Sequence, residues 1–354
     1  MSNEHSAHPP RLRVLFVTFE AGVGGPQRWL DDVLEDETFQ AAIDARVWNV
    51  EDLYRGEWGK FRLLRECRRQ LRMHQPQRVY LSHDLNVAAL AVVCFRVLGA
   101  PRTLVHSHNA RYYDDEKGWK PRLYRALVRA STDTRIALSP EAAVAMYGDP
   151  PGTWAQIADF IDFEKLWRES EQPPGRRHDD IYTFGCVGRL CHQKNQELVI
   201  RAIAAVRDSG VAARLLLLGA GPMEQSFREL VHTLRLGDAV EFVGNADCIG
   251  SWYRHAFDAL VVPSRFEGQG RMVAEAQLFG LPVIASAAVP EMAYLRKDER
   301  ILMQGLELHE WTGVMQRLAT VRPPRAAPDL RAALAHASLS MSSGIPALVE
   351  TIQR

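Results

Sequence analysis

The stretch ALVVPSRFEGQGRMVAE, Ala259–Glu275, joins a short apolar run to a glycine-rich turn and then to a helical pattern. The apolar run fits a strand that is covered on both faces, and the glycines fit a sharp turn that opens a helix. A strand that leads directly into a helix is the repeating unit of a parallel sheet. This stretch therefore predicts an α/β fold whose loops at the carboxyl ends of strands carry the site.

The same unit recurs along the whole chain, because short apolar runs alternate with helical patterns. These runs predict strands at Arg13–Phe19, Arg78–Ser82, Thr103–His106, Arg135–Leu138, Tyr182–Val187, Arg214–Leu218, Ala239–Val243, Ala259–Val262 and Val283–Ala285. The 354 residues are enough for two hydrophobic cores. We therefore expect two Rossmann-like halves, each with a parallel sheet between helices.

A polar stretch with a Pro-Pro-Gly turn, residues 171–180, predicts the linker between these halves. We expect residues 1–170 to form the N-terminal domain and residues 181–342 to form the C-terminal domain. The end of the chain, residues 343–354, has the pattern of a short helix, which we expect to pack back on the N-terminal domain.

Composition argues against several classes of partner. Lys and Arg number 43 and Asp and Glu number 43, so no overall field attracts nucleic acid. The first ten residues are polar, and no apolar run is long enough to span a bilayer, so we expect a cytoplasmic protein. No cysteine pair has the spacing of a zinc site, and no Asp-x-Asp sequence is present, so we predict no bound metal.

Two motifs in the first half follow predicted strands. Gly24 and Gly25 stand in AGVGGPQR, where amides at a helix start can face an anion, although an ordinary strand-to-helix turn remains an alternative. The sequence HSHN places His106, His108 and Asn109 just after another strand. Ligands of doubly wound sheets bind at such positions, so these polar residues are candidates for a site.

Two motifs in the second half suit a nucleotide sugar. In VGRLCHQKN, Arg189 and Lys194 are placed to converge on one diphosphate, the first as a planar fork and the second as a mobile point charge. Glu267 and Glu275 flank the glycine turn of the opening stretch, where carboxylates can accept hydrogen bonds from sugar and ribose hydroxyls. The amides between them lie at a helix N-terminus, which favours phosphate.

At this point the sequence resembles a known family. VGRLCHQKN, LLLLGAGP, VEFVGN and PSRFEGQGRMVAEAQLFGLPVIAS, in this order, resemble the retaining GT-B glycosyltransferases of family 4. The Glu-x7-Glu element of that family is met by Glu267 and Glu275. GGPQ, HSHN and RIALSPEAAVAMYG are similar to the branch that builds exopolysaccharide, capsule and lipopolysaccharide chains. The resemblance covers about Arg11 to Met292 and implies two Rossmann-like domains with the active site in the cleft between them.

The resemblance also implies a role for each matching residue. Arg189 and Lys194 would bind the donor diphosphate, Glu275 the ribose and Glu267 the hydroxyls of the transferred sugar. One histidine, for which we favour His108, would lie beside the reacting carbon. The predicted catalytic residues are thus His108, Glu267, Arg189 and Lys194. The predicted donor-binding residues are Gly24, Gly25, Arg189, Lys194, Glu267, Gly268, Gly270, Arg271, Met272 and Glu275, and those on the acceptor side are His106, Asn109 and Arg111.

We therefore expect a retaining, metal-independent hexosyltransferase that uses no cofactor. It would move a sugar from a nucleoside diphosphate sugar of UDP or GDP type, bound by the C-terminal domain, to a glycan or lipid-linked saccharide. A nucleotide-sugar epimerase of the same fold and a non-catalytic sugar-nucleotide-binding scaffold remain alternatives. The chain departs from the family pattern at Asp159-Phe160, at Gln269, at Arg271 and at Ala287, so the donor stays open.

Residues 60–78, KFRLLRECRRQLRMHQPQR, carry one acid among many basic residues. Phe61, Leu64, Cys67 and Leu71 recur at helical spacing, which predicts a helix with one apolar face and one basic face. Such a helix suits peripheral contact with an anionic membrane, here the inner face of the cell membrane. A packed surface helix with a solvated basic face is the alternative.

Overall fold

The computed structural model describes residues 10–18, 25–50, 59–82, 84–111, 118–173, 180–297, 300–336 and 338–354. The contacts divide the chain into two compact units. The first comprises Met1–Ala21, Leu30–Ile157 and Ile345–Arg354, and the second comprises Gly22–Trp29 and Ala158–Gly344, so far as these ranges are described.

Strands and helices alternate along both units. The strands are β1 Leu12–Thr18, β2 Ile43–Asn49, β3 Arg78–Ser82, β4 Thr103–Ser107, β5 Thr134–Ala137, β6 Ala155–Gln156, β7 Tyr182–Val187, β8 Ala213–Leu218, β9 Val240–Gly244, β10 Ala259–Val262, β11 Val283–Ser286 and β12 Arg300–Met303. The helices are α1 Gly25–Glu35, α2 Glu37–Ala42, α3 Gly59–His74, α4 Leu85–Val97, α5 Lys120–Ser131, α6 Pro140–Tyr147, α7 Phe163–Glu169, α8 Gln196–Asp208, α9 Glu224–Thr233, α10 Ile249–Ser251, α11 Arg271–Leu278, α12 Leu308–Val321, α13 Leu330–Leu334 and α14 Met341–Gln353.

The sheet of the first unit has the strand order β2-β1-β3-β4-β5-β6, and its strands are parallel. The steps from β2 to β3, from β3 to β4 and from β4 to β5 all run in one direction. Right-handed crossovers therefore place α3, α4 and α5 on the same face. The contacts agree, because α4 packs against α3 on one side and α5 on the other.

The sheet of the second unit has the order β12-β11-β10-β7-β8-β9 and is also parallel. One core cluster includes residues of α8 and α12, and a second includes residues of α11 and α13. The chain order of the strands reverses between β7 and β10, which makes this pair the switch point where ligands bind in such sheets. The predicted α/β fold with two parallel sheets is confirmed.

The unit boundary differs from the boundary expected at residue 170. Residues 158–170 group with the second unit. The amide of Ile161 donates to the carbonyl of Leu339 over 2.7 Å, and Phe163 and Leu166 lie in a core of that unit. Of the expected linker 171–180, residues 174–179 lie outside the described residues.

The end of the chain groups with the first unit from Ile345 onward. The guanidinium of Arg78 donates to the carbonyls of Ile352 and Gln353, each over 3.2 Å. These bonds satisfy carbonyls at the carboxyl end of α14, which the helix itself leaves without partners.

Helix α3 corrects two details of the pattern predicted for residues 60–78. The helix ends at His74, and Arg78 is a half-buried residue of β3. Leu64, expected on the inner face, is 40% exposed, whereas Leu63 and Cys67 are buried. Leu63 therefore takes the place of Leu64 on the inner face, and the predicted positions Cys67 and Leu71 both contact the core. The side chain of Phe61 lies outside the described residues.

Among the described residues, no helix combines the length and the apolar character needed to cross a membrane. Helix α4 is apolar apart from Asn86 and Arg96, but it has only 13 residues, against the roughly 20 that a bilayer core requires.

Candidate donor site in the second unit

Two loops meet at the switch point of the second sheet. The loop after β7 carries Gly188 to Asn195, and the loop after β10 carries Pro263 to Gly270. The amide of Arg265 donates to the carbonyl of Gln193 over 2.8 Å, and the side-chain amide of Gln193 donates to the carbonyl of Phe266 over 3.0 Å. Two motifs that lie some seventy residues apart in the sequence are thus held together.

Lys194 and Glu267 form the centre of this arrangement. The ammonium Nζ lies 2.7 Å from Oε1 and 2.9 Å from Oε2 of Glu267, and the hydroxyl of Ser264 also donates to Oε1. The lysine side chain is 15% exposed and the glutamate side chain 4%. An ammonium has three N–H donors, and this carboxylate takes two of them. The third can serve a ligand.

Glycines shape the loop that carries Arg189. Gly188 has φ 143°, and a Cβ added there would lie 3.2 Å from Cε of Lys194. A Cβ on Gly219, in the turn after β8, would lie 2.3 Å from the carbonyl oxygen of Gly188. The backbone at Gly219 therefore packs closely against the backbone of the loop at Gly188. Arg189 itself is exposed, and its carbonyl accepts a hydrogen bond from the side chain of Gln196.

The N-terminus of α11 is suited to an anion. Gly270 precedes the helix with φ 83°, and within the described residues its first turn has neither a side-chain cap nor an acidic residue. Gly268 and Gly270 are buried, and Met272 is half-buried. The backbone amides of a first helical turn have no partner inside the helix and carry the positive end of its dipole. This end of α11 can therefore face an anion, and its contact with phosphate stays a prediction.

Glu275 lies one turn further into α11 and is 3% exposed. The hydroxyl of Tyr253 donates to its Oε2 over 2.9 Å. The guanidinium groups of Arg28 and Arg271 lie 3.7 Å and 3.8 Å from its Oε1. Burial, followed by the charge of Glu275, raises the pKa of Tyr253 well above its ordinary value, so the hydroxyl stays a donor.

Arg271 is almost fully buried at 6% exposure and turns toward the start of α1. Its Nη1 donates to the carbonyl of Gly25 over 3.2 Å, and residues 25–29 group with the second unit. Arg271 thus joins Glu275 to the turn that contains Gly25. Gly24, the other glycine expected here, lies outside the described residues.

Asp159 and Gln269, at which the chain departs from the family pattern, are joined by hydrogen bonds. The side-chain oxygen of Gln269 accepts from the amide of Asp159 over 2.8 Å, and its nitrogen donates to the carbonyl of Asp159 over 2.7 Å. Gln269 is buried, so this pair of bonds satisfies a backbone that water does not reach. The segment near Asp159 is thereby tied to the loop that carries Glu267.

The candidate histidines of the first unit differ in their surroundings. His106 is fully buried, with Nδ1 2.6 Å from the hydroxyl of Tyr80 and Nε2 3.1 Å from the carbonyl of Ile157. Burial, and next the neighbouring His108, lower its pKa well below the ordinary value. A carbonyl only accepts, so Nε2 carries the proton and Nδ1 accepts from Tyr80. Both nitrogens are engaged inside the unit, which leaves His106 no route to a ligand.

The predicted catalytic histidine, His108, and the acceptor-side candidates Asn109 and Arg111 lie closer to solvent than His106. The His108 ring, 6% exposed, stacks at a tilt on His106, with centroids 3.9 Å apart. Asn109 is half-buried and Arg111 is exposed. Arg111 lines an open depression of about 520 Å³ together with Arg125, Glu141 and Val144. These positions belong to the first unit, and Arg189, Lys194, Glu267 and Glu275 belong to the second.

Three residues of the second unit were not singled out from the sequence. Ser264 stands three residues before Glu267 in the quoted motif, and Arg28 stands three residues after Gly25, so both could have been found by spacing. Tyr253 lies in a π-helical turn, Trp252–Ala256. π-turns often mark functional sites, but nothing in the local sequence shows that this one faces Glu275.

The sequence of this chain is similar to those of known glycosyltransferases. A family model described as "Glycosyl transferases group 1" matches residues 181–320. The putative glycosyltransferase EpsF of Bacillus subtilis (strain 168) is 25% identical over 267 residues, which cover 71% of this chain and 67% of EpsF. The lipopolysaccharide core biosynthesis mannosyltransferase LpsB of Rhizobium meliloti (strain 1021) is 33% identical over 178 residues, 48% of either chain. The chain thus spans about half to two thirds of these curated relatives.

A solved structure extends the similarity of the fold to nearly the whole chain. HepE of Anabaena, solved in complex with UDP and glucose, superposes with a TM-score of 0.73 at 18% identity and covers 97% of this chain and 100% of its own. Residues 181–320 therefore resemble a group 1 glycosyltransferase domain, in a chain that has the GT-B fold.

Proposed function

We propose that this protein transfers a sugar from a nucleoside diphosphate sugar to a saccharide or lipid-linked saccharide in the biosynthesis of a cell-surface polysaccharide. The observation that carries the proposal is the enclosed Lys194–Glu267 pair beside the uncapped N-terminus of α11. Cationic groups and helix amides at one point suit a diphosphate, and a carboxylate beside them suits sugar hydroxyls. The names of EpsF and LpsB support transfer and do not favour an epimerase.

The difficult step in this reaction is the departure of the nucleoside diphosphate. The bond between the anomeric carbon and the phosphate oxygen breaks while negative charge grows on the diphosphate. Preorganised cations and amides that face this charge stabilise the transition state by several kcal/mol. In our proposal Arg189, Lys194 and the first turn of α11 supply this stabilisation, so that no divalent metal is needed.

We further propose that the configuration at the anomeric carbon is retained by attack from the face that the diphosphate leaves. In this scheme the acceptor hydroxyl forms the new bond and passes its proton to the departing phosphate oxygen. The hydrogen bonding of Glu267 supports this route over a covalent intermediate, since both of its oxygens are bound by Lys194. His108 keeps its predicted role as the catalytic histidine.

The donor remains to be chosen by experiment between UDP and GDP types. HepE, which shares the fold, was solved with UDP and glucose, so UDP-glucose belongs among the first donors to test. The name of LpsB, a mannosyltransferase, adds GDP-mannose to the same set.

The variants Lys194→Ala and Glu267→Ala test the proposal most directly. We expect each to lower the release of nucleoside diphosphate by about a hundredfold or more, since a single preorganised donor commonly contributes that much. The assay follows the slow hydrolysis of UDP-glucose, UDP-galactose, UDP-N-acetylglucosamine and GDP-mannose, with circular dichroism as a check on folding.

An exposed ion pair of the same residue types provides the matched control. Lys297 and Glu291 lie 2.9 Å apart with side chains 59% and 66% exposed. Lys297→Ala and Glu291→Ala should therefore hydrolyse donor like the wild type. Near-normal turnover in both site variants would disprove the site assignment. A wild type that binds nucleotide but releases no diphosphate from any donor would favour the non-catalytic scaffold.

A further inference from the structure

The two oxygens of the Glu275 carboxylate have different surroundings. Oε2 accepts a hydrogen bond from the hydroxyl of Tyr253 over 2.9 Å. Oε1 lies 3.7 Å and 3.8 Å from guanidinium nitrogens of Arg28 and Arg271, which is too far for a direct hydrogen bond. Among the described residues, Tyr253 is thus the one hydrogen-bond donor to this carboxylate. An ionised carboxylate has about four acceptor sites, so about three of them stay open to a ligand.

The ring of Tyr253 is held in place by its surroundings. The side chain is fully buried and lies in the π-helical turn Trp252–Ala256. The ring packs edge-on against Phe257, with centroids 5.8 Å apart, and nearly parallel to Phe279, with centroids 6.4 Å apart. Phe279 directly follows α11, the helix that carries Glu275. Because two aromatic rings fix the tyrosine, its hydroxyl is a stationary donor that keeps Oε2 at one position.

The place of Glu275 in α11 relates it to the proposed diphosphate site. Glu275 lies about 6 Å along the helix from its first residue, Arg271, since each residue of an α-helix advances it by about 1.5 Å. The uncapped first turn of α11 is the point at which we propose that the diphosphate binds. In a nucleoside diphosphate the ribose is attached to the phosphates and offers two adjacent hydroxyls. A carboxylate with open acceptor sites at this distance suits those hydroxyls, which is also the role that the family resemblance implies for Glu275.

We propose that Tyr253 is a positioning residue that makes Glu275 selective for ribose over 2′-deoxyribose. By holding Oε2, the tyrosine directs Oε1 and the open acceptor sites of Glu275 to both hydroxyls of a ribonucleoside diphosphate. This role rests on the proposed function and adds to it the class of nucleotide that the site prefers. Tyr253 acts through Glu275 and not on the ligand itself, because its hydroxyl proton is given to Oε2.

Titration calorimetry with UDP, GDP and their 2′-deoxy forms tests this selectivity. We expect the wild type to bind UDP or GDP about tenfold or more tightly than its 2′-deoxy form, because the deoxy form lacks one hydrogen bond to a charged group. Tyr253→Phe keeps the ring contacts with Phe257 and Phe279, so its fold should be retained, but it releases Oε2. Its affinity for the ribonucleotide should fall about tenfold, and its preference over the 2′-deoxy form should shrink to about threefold or less.

The amide variant Glu275→Gln provides a readout that a merely structural role of Tyr253 would not change. The Tyr253 hydroxyl donates, so it selects the oxygen of the amide, and the NH2 group then takes the place of Oε1. An NH2 group cannot accept from ribose hydroxyls, so the ribonucleotide should bind about tenfold or more weakly. In the double variant Tyr253→Phe, Glu275→Gln the amide can turn over and present its oxygen. We therefore expect the double variant to bind the ribonucleotide about threefold or more tightly than Glu275→Gln alone.

Tyr147→Phe is the matched control for loss of a buried tyrosine hydroxyl. Tyr147 is fully buried in the first unit, and its hydroxyl donates to the carbonyl of Ile136 over 2.8 Å. This variant should melt at a lower temperature than the wild type, because a buried carbonyl loses its donor. Its preference for ribonucleotides should equal that of the wild type.

The outcomes separate the role of Tyr253 from the proposed function. A preference for ribose that persists unchanged in Tyr253→Phe would overturn this role alone. So would a double variant that binds no more tightly than Glu275→Gln. A wild type that binds neither UDP nor GDP would overturn this role and the proposed donor site together. The expected selectivity in a chain that releases no diphosphate from any donor would support the role of Tyr253 and refute only the proposed transfer.

Discussion

Lys194 and Glu267 occupy one enclosed position, so their charges must be considered together. An ammonium with 15% exposure is poorly hydrated, and the carboxylate 2.7 Å away supplies the compensating charge. The same contact orients the ammonium, because both carboxylate oxygens hold it from one side. The ion pair thus explains how the ammonium of Lys194, which we propose as a phosphate ligand, stays charged and oriented in a nearly buried loop. Glu267 thus holds Lys194, and in our proposal it also accepts hydrogen bonds from sugar hydroxyls.

The buried His106 makes the stability of the folded chain depend on pH. The pKa of His106 is held well below its ordinary value of 6.5 by burial, so the folded chain keeps it neutral while the unfolded chain protonates it below about pH 6.5. The unfolded state then binds more protons, and stability falls as pH decreases from about 6.5 toward the folded pKa, by at most about 1.4 kcal/mol per pH unit. The variant His106→Gln should lack this contribution.

Melting temperatures between pH 7.5 and 5.5 would show this difference as a flatter curve for His106→Gln than for the wild type. Tyr80→Phe is the control, since it removes the hydroxyl that His106 accepts from but keeps the titrating ring. That variant should melt lower at every pH and retain the wild-type slope. Parallel curves for the wild type and His106→Gln would contradict the assignment.

Among the elements, the loop between β10 and α11 is held by contacts from several directions. Gln193 binds its backbone at Phe266, Ser286 binds it at the carbonyl of Ser264, and Gln269 ties it to Asp159. A loop fixed in this way loses little freedom when a ligand binds, which favours affinity. Most of these partners are distant in sequence, so the loop depends on the complete fold of the second unit.

The tie between Gln269 and Asp159 predicts a local effect in Gln269→Leu. Loss of the side chain leaves the buried amide and carbonyl of Asp159 without these partners, at a cost of about 1–3 kcal/mol for each group. We expect hydrogen exchange of the Asp159 amide to accelerate about tenfold or more.

The chain contains a matched control for this variant. Gln277 makes the same pair of bonds to the backbone of Arg296, over 3.1 Å and 2.7 Å. Gln277→Leu should accelerate exchange at Arg296 and leave Asp159 as in the wild type. An unchanged exchange rate at Asp159 in Gln269→Leu would show that the tie contributes nothing to the order of this segment.

The strands that sequence reasoning found and missed differ in their place in the sheets. The predicted runs all correspond to strands within a residue or two, because most of them are interior strands covered on both faces and therefore apolar throughout. The missed strands are β2, β6 and β12, and all three lie at sheet edges. β2 reads IDARVWN and has only two buried residues, Ile43 and Trp48, and β6 has only two residues in all. β2 and β6 therefore carry too little buried apolar sequence to stand out, whereas the edge strand β9 has enough apolar residues to be predicted.

Some features of the candidate site could likewise be predicted from the sequence, and others could not. Arg189, Lys194, Glu267 and Glu275 could be predicted because motif and strand end coincide at each of them. The partnership of Gln269 with Asp159 and of Tyr253 with Glu275 could not, since each joins residues that local spacing does not relate. His106 differs from these residues, because its sequence position suggests a site while both of its ring nitrogens have partners inside the first unit.

For the whole molecule, the overall net charge and the overall similarity to known proteins hide differences between parts of the chain. The equal numbers of acidic and basic residues argue against a charged partner, yet helices α3, α4 and α5 together carry one acidic residue, Glu66, among many arginines. The family model likewise matches only residues 181–320, whereas the fold similarity to HepE extends over 97% of the chain. The residues matched by the family model therefore lie within the second unit, whereas the fold similarity includes both units.

In our proposal the second unit binds a nucleoside diphosphate through Lys194 without a metal. Thermal melting tests this binding most directly. Wild type and Lys194→Ala would be melted with UDP, GDP, ADP and CMP, each with and without EDTA. A ligand at a hundredfold excess over its Kd stabilises the folded state by about 2.7 kcal/mol, which raises the melting temperature. We predict that one diphosphate raises the melting temperature of the wild type equally with and without EDTA, and that Lys194→Ala loses most of the shift. Equal shifts in both proteins, or a shift that EDTA abolishes, would contradict the account.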